Sequence, residues 1–187
     1  FLVADGMGGA ASGELASSMA GSLVLDELRQ RWSEAPPSGQ RFAEALRDAT
    51  VHANTRIHQH ARENPEHRGM GTTATVAGLL RDTLFVVQVG DSRAYLIREG
   101  QARQLTKDQS LMQRLVEAGE LTPEEAEVSD RRNIILQALG PEAHVTVDIT
   151  HQQLRRGDML LLCSDGLSGL VKGDEMASLA QRHPDVR

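Results

Sequence analysis

Cysteine is almost absent from this chain: Cys163 stands alone among 187 residues, so no internal disulfide can form. Its apolar neighbours mark it as a core thiol, which fits a reducing, cytoplasmic setting. Aromatic residues make up only 3%, and no basic stripe offsets the net charge of -6. Base stacking and phosphate tracking are both unsupported, which excludes nucleic acid as a partner. No apolar run approaches the roughly 20 residues of a membrane span. The start also lacks the charged and apolar regions of a signal peptide, so no membrane partner is expected. An initiator Met is missing as well. The chain opens inside an apolar run, as a fragment of a longer protein would, and a monomer is expected. Its length suits a single domain burying roughly 70% of the surface of the unfolded form.

What the chain does have is concentrated first in Phe1-Leu2-Val3-Ala4-Asp5-Gly6-Met7-Gly8-Gly9. Phe1 to Ala4 read as a short buried strand, and the glycines after Asp5 allow a tight turn. A carboxylate there is exposed but rigidly aimed, and the Gly6 carbonyl can approach whatever it holds. Hard cations with oxygen ligands suit that arrangement. Two other readings compete. Asp-Gly is a common turn dipeptide. Gly6-Met7-Gly8-Gly9-Ala10-Ala11 also fits the G-x-G-x-x-A dinucleotide fingerprint, with Asp26 at the expected distance. Against that fingerprint, Asp26 falls inside a helical pattern, and Asp5 would set a negative charge beside a pyrophosphate. A P-loop is excluded because no Gly-Lys-Ser/Thr follows.

Leu15, Met19 and Leu23, with Ala16, Ala20, Val24 and Leu28, predict an amphipathic helix over residues 12 to about 31, ended before Pro36-Pro37. Phe42, Leu46, Ala49, Ala53 and Ile57 predict a second, from about 40 to 63, stopping before Pro65. His52, His58, His60 and His67 lie near one another, but no cysteine or acidic partner completes a zinc ligand set, so they read as solvated. Strands follow at 73–77 and 84–89, the second apolar on both faces and therefore covered on both. It ends in Gly90-Asp91-Ser92-Arg93. A hairpin over 94–105 turns at Glu99-Gly100. Residues 106 to 140 read as a polar helical insertion: Ser110 with Gln113 forms one capping box, and Thr122 with Glu125 another. A movable flap and an inert surface excursion both fit that composition. Strands resume over 145–150 and 159–163, the last ending in Ser164-Asp165-Gly166-Leu167, and a helix from about Asp174 to Arg182 follows.

Buried strands thus end in Asp5, Asp91 and Asp165, which can converge on one edge of a layered sandwich. Gathered carboxylates repel and need a cation. A donor set without His or Cys favours Mg2+ or Mn2+, and a carboxylate between two ions can bridge them. A binuclear centre of this kind suits phosphate ester hydrolysis, with water rather than a side chain as the nucleophile. Cys163 has no matched base, and Ser92 and Ser164 have no His at a recognisable spacing, which argues against a Ser-His-Asp hydrolase.

Four segments carry a family resemblance: Val3-Ala4-Asp5-Gly6-Met7-Gly8-Gly9, Gly71-Thr72-Thr73-Ala74, Val89-Gly90-Asp91-Ser92-Arg93-Ala94-Tyr95 and Leu162-Cys163-Ser164-Asp165-Gly166-Leu167. In order and spacing they resemble the metal-dependent serine/threonine protein phosphatases of type 2C in their bacterial form, across the whole chain. The resemblance implies an α+β fold: a four-layer α-β-β-α sandwich of two antiparallel sheets flanked by helices, with residues 1–187 as one catalytic domain. It implies two core Mn2+ or Mg2+ ions, with Asp5 bridging them, the Gly6 carbonyl on one, and Asp165 on the first. Asp91 with Asp165 would hold a third ion. Residues 107 to 140 would be the family's variable flap, and the substrates would be proteins phosphorylated on serine or threonine by a kinase. A regulatory domain that binds phosphoproteins without cleaving them is the alternative.

Several departures bear on those expectations. Met7 stands where many eukaryotic members have a His proposed as general acid, and Gln109 where bacterial relatives often have His. The family's N-terminal phosphate-binding Arg and its last Asp ligand would lie outside residues 1–187. Sheet edges are then expected to be exposed, and this stretch alone is expected to bind metal weakly and to hydrolyse phosphate esters poorly.

Overall fold

A computed structural model describes residues 1–31 and 38–183 of the chain. Strands β1 (Leu2–Val3) and β2 (Gly6–Met7) flank Asp5, and helix α1 (Ala10–Arg31) follows the glycines. The expected break at Pro36-Pro37 lies outside the described residues. Helix α2 (Gly39–Glu63) begins where the Ser38 hydroxyl accepts the Arg41 N–H, and stops at Asn64 because Pro65 cannot continue it. One 3-10 turn (Pro65–His67) leads to β3 (Gly71–Thr72). Strands β4 (Ala74–Leu80), β5 (Thr83–Val89), β6 (Arg93–Arg98) and β7 (Gln101–Gln104) come next. The insertion carries α3 (Leu111–Glu117) and α4 (Pro123–Val128). Strands β8 (Asp148–Gln153) and β9 (Met159–Cys163) and helices α5 (Asp165–Ser168) and α6 (Gly173–Arg182) complete the described chain.

One antiparallel sheet has the order β1-β4-β5-β8 and a second the order β7-β6-β9, while β2 and β3 form a small ribbon. Three apolar interfaces stack these elements. Phe42, Leu46, Ala53 and Ile57 of α2, with Ala16, Ala20 and Val24 of α1, pack on Val76, Phe85, Val87 and Val89. Phe42 meets Phe85 edge-on, with ring centroids 5.3 Å apart. Between the sheets lie Ala77, Leu84, Val86 and Ala94, with Leu160 and Leu162 against them. Outside the second sheet, Met176 of α6 covers Tyr95 and Cys163. Strand β5 is apolar on both faces because helices cover one and a sheet covers the other. The α+β, four-layer architecture expected from the sequence is present.

Several local expectations need correction. Phe1 is 87% exposed and Leu2 and Val3 are only half-buried, because β1 is an edge strand paired with β4 alone. For the same reason β9 is half-buried up to Cys163, having only β6 as a neighbour. Strand β8 starts at Asp148 rather than at Val145. Val145 and Val147 pack onto the helix-side core from outside the ladder, and the Thr146 N–H donates to Gln137 Oε1 instead of to a strand. Ser110 caps α3 in one direction only, since the Gln113 amide turns to Glu117; Thr122 and Glu125 do form the reciprocal box. The histidines are not simply solvated. His52 approaches Glu27 at 3.1 Å, His58 Nδ1 donates to the Gly140 carbonyl at 2.8 Å, and the rings of His60 and His67 lie 5.4 Å apart.

Candidate active site

Asp5 is fixed through its main chain. Its N–H donates to Thr73 Oγ1 at 2.9 Å, and its carbonyl accepts the Thr73 N–H at 2.9 Å and the Thr72 hydroxyl at 3.0 Å. Immediately after it, Gly6 lies against Gly13 of α1, where a Cβ on Gly6 would overlap the Gly13 carbonyl. The helix can approach the loop only because both residues are glycine. That contact seats the turn on the start of α1.

Asp91 sits where the chain crosses from one sheet to the other. Gly90 adopts φ 98° to make the turn. Beneath it, the Ser92 hydroxyl lies 2.7 Å from that of Thr73, and the Ser92 carbonyl accepts Gln88 Nε2 at 2.7 Å. Thr75, paired across the ladder with Gln88, places its hydroxyl 2.7 Å from Gln88 Oε1 and 2.9 Å from the Ser92 carbonyl. Thr73, Thr75, Gln88 and Ser92 are all essentially buried. A buried polar layer, with its groups partnered, therefore links the Asp5 and Asp91 loops. Asp165 arrives from the other sheet as the first residue of α5, a short helix rather than the plain turn expected, and it is exposed. Edge strands β1 and β9 come together, which carries Asp5 and Asp165 to the same place.

Electrostatics report the convergence. Burial raises the Asp5 carboxyl above its ordinary value, and a hydrogen-bonding contact with Asp165 and that group's charge raise it further. Asp91 is 8% exposed, and burial with the charges of Asp165, Asp108 and Asp5 pushes it up to about 6. Asp108 is itself gripped by the Arg93 guanidinium, with its shortest contact at 2.6 Å, and Arg93 also donates to the Tyr95 hydroxyl. Among the described residues no Lys, Arg or His pairs with Asp5, Asp91 or Asp165. Nor do these residues include a trio of His, Cys, Asp or Glu side chains already closed into a ligand set. The carboxylates share one field without yet meeting around one point.

Of the candidate side-chain nucleophiles, Cys163 and Ser92 are not poised to react. Burial pushes the Cys163 thiol up, keeping it protonated, and Ser92 is buried against Thr73. Thr75 and Gln88, which hold the loops from beneath, are not apparent as site residues in the sequence. A lone Gln in the apolar run of β5 was the available signal.

The sequence profile of the protein phosphatase 2C family matches residues 1–185. The serine/threonine phosphatase stp of Listeria monocytogenes is 38% identical over 178 residues, spanning 95% of this chain and 70% of that protein. The serine/threonine protein phosphatase PstP of Mycobacterium tuberculosis is 42% identical over the whole chain, which spans 35% of its length. The crystal structure of Mycobacterium tuberculosis PstP/Ppp superposes with a TM-score of 0.86 at 38% identity, covering 96% of this chain and 74% of that one. A PstP catalytic domain in complex with two manganese ions matches with a TM-score of 0.82 at 38% identity, covering 96% and 73%. The chain belongs to the protein phosphatase 2C family.

Proposed function

We propose that the chain hydrolyses phosphoserine and phosphothreonine in proteins, using Mn2+ or Mg2+ held by Asp5, the Gly6 carbonyl, Asp91 and Asp165. Asp5, the Gly6 carbonyl and Asp165 would hold the two core ions together with the last Asp ligand expected outside residues 1–187, and Asp91 with Asp165 would hold a third. Asp91 carries the reading. It is a carboxylate only 8% exposed, its pKa raised to about 6 by burial first and then by the charge of Asp165, and among the described residues no Lys, Arg or His pairs with it. A divalent ion supplies the missing countercharge, and an all-oxygen donor set suits a hard cation. The manganese-bearing PstP neighbour supports the same choice. Such ions, when bound, acidify water and neutralise developing charge on phosphoryl oxygens.

The protein's own part in this reading is to hold and aim. Thr72 and Thr73 lock the main chain of Asp5, and Gln88 and Ser92 lock the turn that bears Asp91. Water is the nucleophile in this reading: Cys163 is kept as a thiol, Ser92 is buried, and Ser164 has no His at a recognisable spacing. Met7 has no proton to give, so the leaving alkoxide draws its proton from elsewhere. Residues 1–187 act as one catalytic domain, with 107–140 as a movable flap, on proteins phosphorylated by a serine/threonine kinase. A monomer in the cytoplasm completes the reading. No described helix is long and apolar enough to cross a membrane.

Initial rates on a phosphothreonine peptide, with Mn2+ and again after chelation, test this in the full-length protein. Chelation, Asp5→Asn and Asp165→Asn should each bring hydrolysis to background while the folded spectrum is kept. Undiminished turnover in either variant would refute the ligand assignment.

A further inference from the structure

Beside the Arg93–Asp108 ion pair, Gln109 fastens the flap to the Asp91 turn at Gly90. Its main-chain N–H donates to the Gly90 carbonyl at 2.9 Å, and its side-chain carbonyl accepts the Gly90 N–H at 2.9 Å. Two hydrogen bonds between the same pair of residues fix the peptide units on both sides of Gly90, directly before Asp91. The Gln109 amide nitrogen then donates to Asp148 Oδ2 at 2.9 Å and to the Thr146 carbonyl at 3.2 Å. Its main-chain carbonyl accepts the Leu136 N–H at 2.8 Å, on the returning limb of the flap. Every polar group of Gln109 is thus committed, and the commitments reach three segments: the Asp91 turn, the far root of the flap and the start of β8.

We infer that Gln109 is a positioning residue that couples the flap to the ion held at Asp91. The inference rests on the reading of Asp91 as a metal ligand, and extends it to a residue that touches neither metal nor substrate. Gly90 at φ 98° packs its backbone against the Thr73 side chain, and hydrogen bonds fix the peptide units on both sides of it. Gln88 supplies the bond from below, to the Gly90 carbonyl at 2.9 Å, and Gln109 supplies those from the flap side. A movement of the flap root therefore changes the aim of the Asp91 carboxylate. Conversely, an ion seated at Asp91 favours the flap position in which Gln109 bridges Gly90 and Asp148. An imidazole at this position can accept from Gly90 with one nitrogen and donate to Asp148 with the other. An alkyl side chain of similar length can do neither.

Titration calorimetry with Mn2+ tests the coupling, using the full-length protein and the variants Gln109→Leu, Gln109→His and Asp91→Asn. Loss of an orienting partner typically weakens metal binding by about 10–100-fold. Gln109→Leu is expected to weaken the Asp91-dependent Mn2+ event by about that factor, to leave tighter events unchanged, and to raise the Mn2+ concentration for half-maximal rate more than it lowers the limiting rate. Gln109→His should restore the affinity. Titrations of Gln109→Leu that match the wild type, while Asp91→Asn loses an ion, would overturn the inference and leave the ligand reading standing. Unchanged Mn2+ binding in Asp91→Asn would instead overturn the ligand reading itself. Equal weakening of every Mn2+ event in Gln109→Leu would mean a merely structural role and would also overturn the coupling.

Discussion

The hydroxyls of Thr73 and Ser92 lie 2.7 Å apart in the buried layer beneath the site. Thr73 also accepts the N–H of Asp5, and Ser92 is the neighbour of Asp91, so this contact joins the two loops through which the carboxylates converge. It belongs to the interior, where an unpaired polar group is costly, and it has no solvent to replace a lost partner.

Thr73→Val keeps the shape of the side chain but leaves the Asp5 N–H and the Ser92 hydroxyl without this acceptor and partner. At about 1–3 kcal/mol for each unsatisfied group, a loss of about 2–6 kcal/mol is expected. Thr73→Ser retains the hydroxyl and should cost about 1 kcal/mol, for the lost methyl packing alone. Denaturant unfolding of the two variants reads the difference directly.

Gly6→Ala should be poorly tolerated although Gly6 is exposed, because the added Cβ overlaps the Gly13 carbonyl of α1. Backbone, not a flexible side chain, stands in the way. Overpacking of this kind costs about 1–3 kcal/mol, and the helix must shift away from the Asp5 turn. A lower thermal midpoint together with weaker Mn2+ binding is the expected result.

Asp91→Asn removes a buried, uncompensated charge, so at neutral pH the metal-free variant should melt at a higher temperature than the metal-free wild type. Mn2+ at a hundredfold over its dissociation constant adds about 2.7 kcal/mol per site in the wild type. The variant should lose that part of the response. Differential scanning fluorimetry with and without Mn2+ gives both numbers in one experiment.

Far from the site, Asp158 accepts Arg98 Nε and a second guanidinium nitrogen at 2.8 and 2.6 Å and the Arg155 N–H at 2.7 Å. These bonds, that from Arg98 foremost, hold its carboxyl at about 2 instead of 3.8. A carboxyl lowered in the folded state stabilises above its unfolded value and loses that contribution as pH falls through the folded one. The stability difference between wild type and Asp158→Asn should therefore be steady above pH 3.8 and shrink as the pH falls towards 2. Unfolding curves across that window check the sign.

Much of the architecture could be read from the chain because its signals are local. The apolar spacing of Phe42, Leu46, Ala49, Ala53 and Ile57 marks α2, and all are buried as that face requires. Positive φ at Glu99 confirms the hairpin turn read there from the sequence, and Arg81 turns the β4–β5 hairpin in the same way. Asp5, Asp91 and Asp165 stood out because each follows an apolar run. What was not legible depends on distant partners. Nothing near Thr75 announces that it will face Gln88 and the Ser92 carbonyl, and nothing near Arg98 announces Asp158. Exposed sheet edges were expected, but not which strands form them: β1 and β9 look like buried strands because sequence records apolar content and not ladder neighbours. The start of β8 was misplaced for a related reason, since Val145 and Val147 alternate as a strand would but pack outside the ladder.

Anomalous diffraction at the manganese edge, from crystals of the full-length protein grown with Mn2+, tests the central claim most directly. Difference peaks flanking the Asp5 carboxylate, with Asp165 on one of them and a further peak between Asp91 and Asp165, are the predicted result. Well-ordered Asp5, Asp91 and Asp165 side chains with no anomalous peak among them, at Mn2+ concentrations that support hydrolysis, would contradict it.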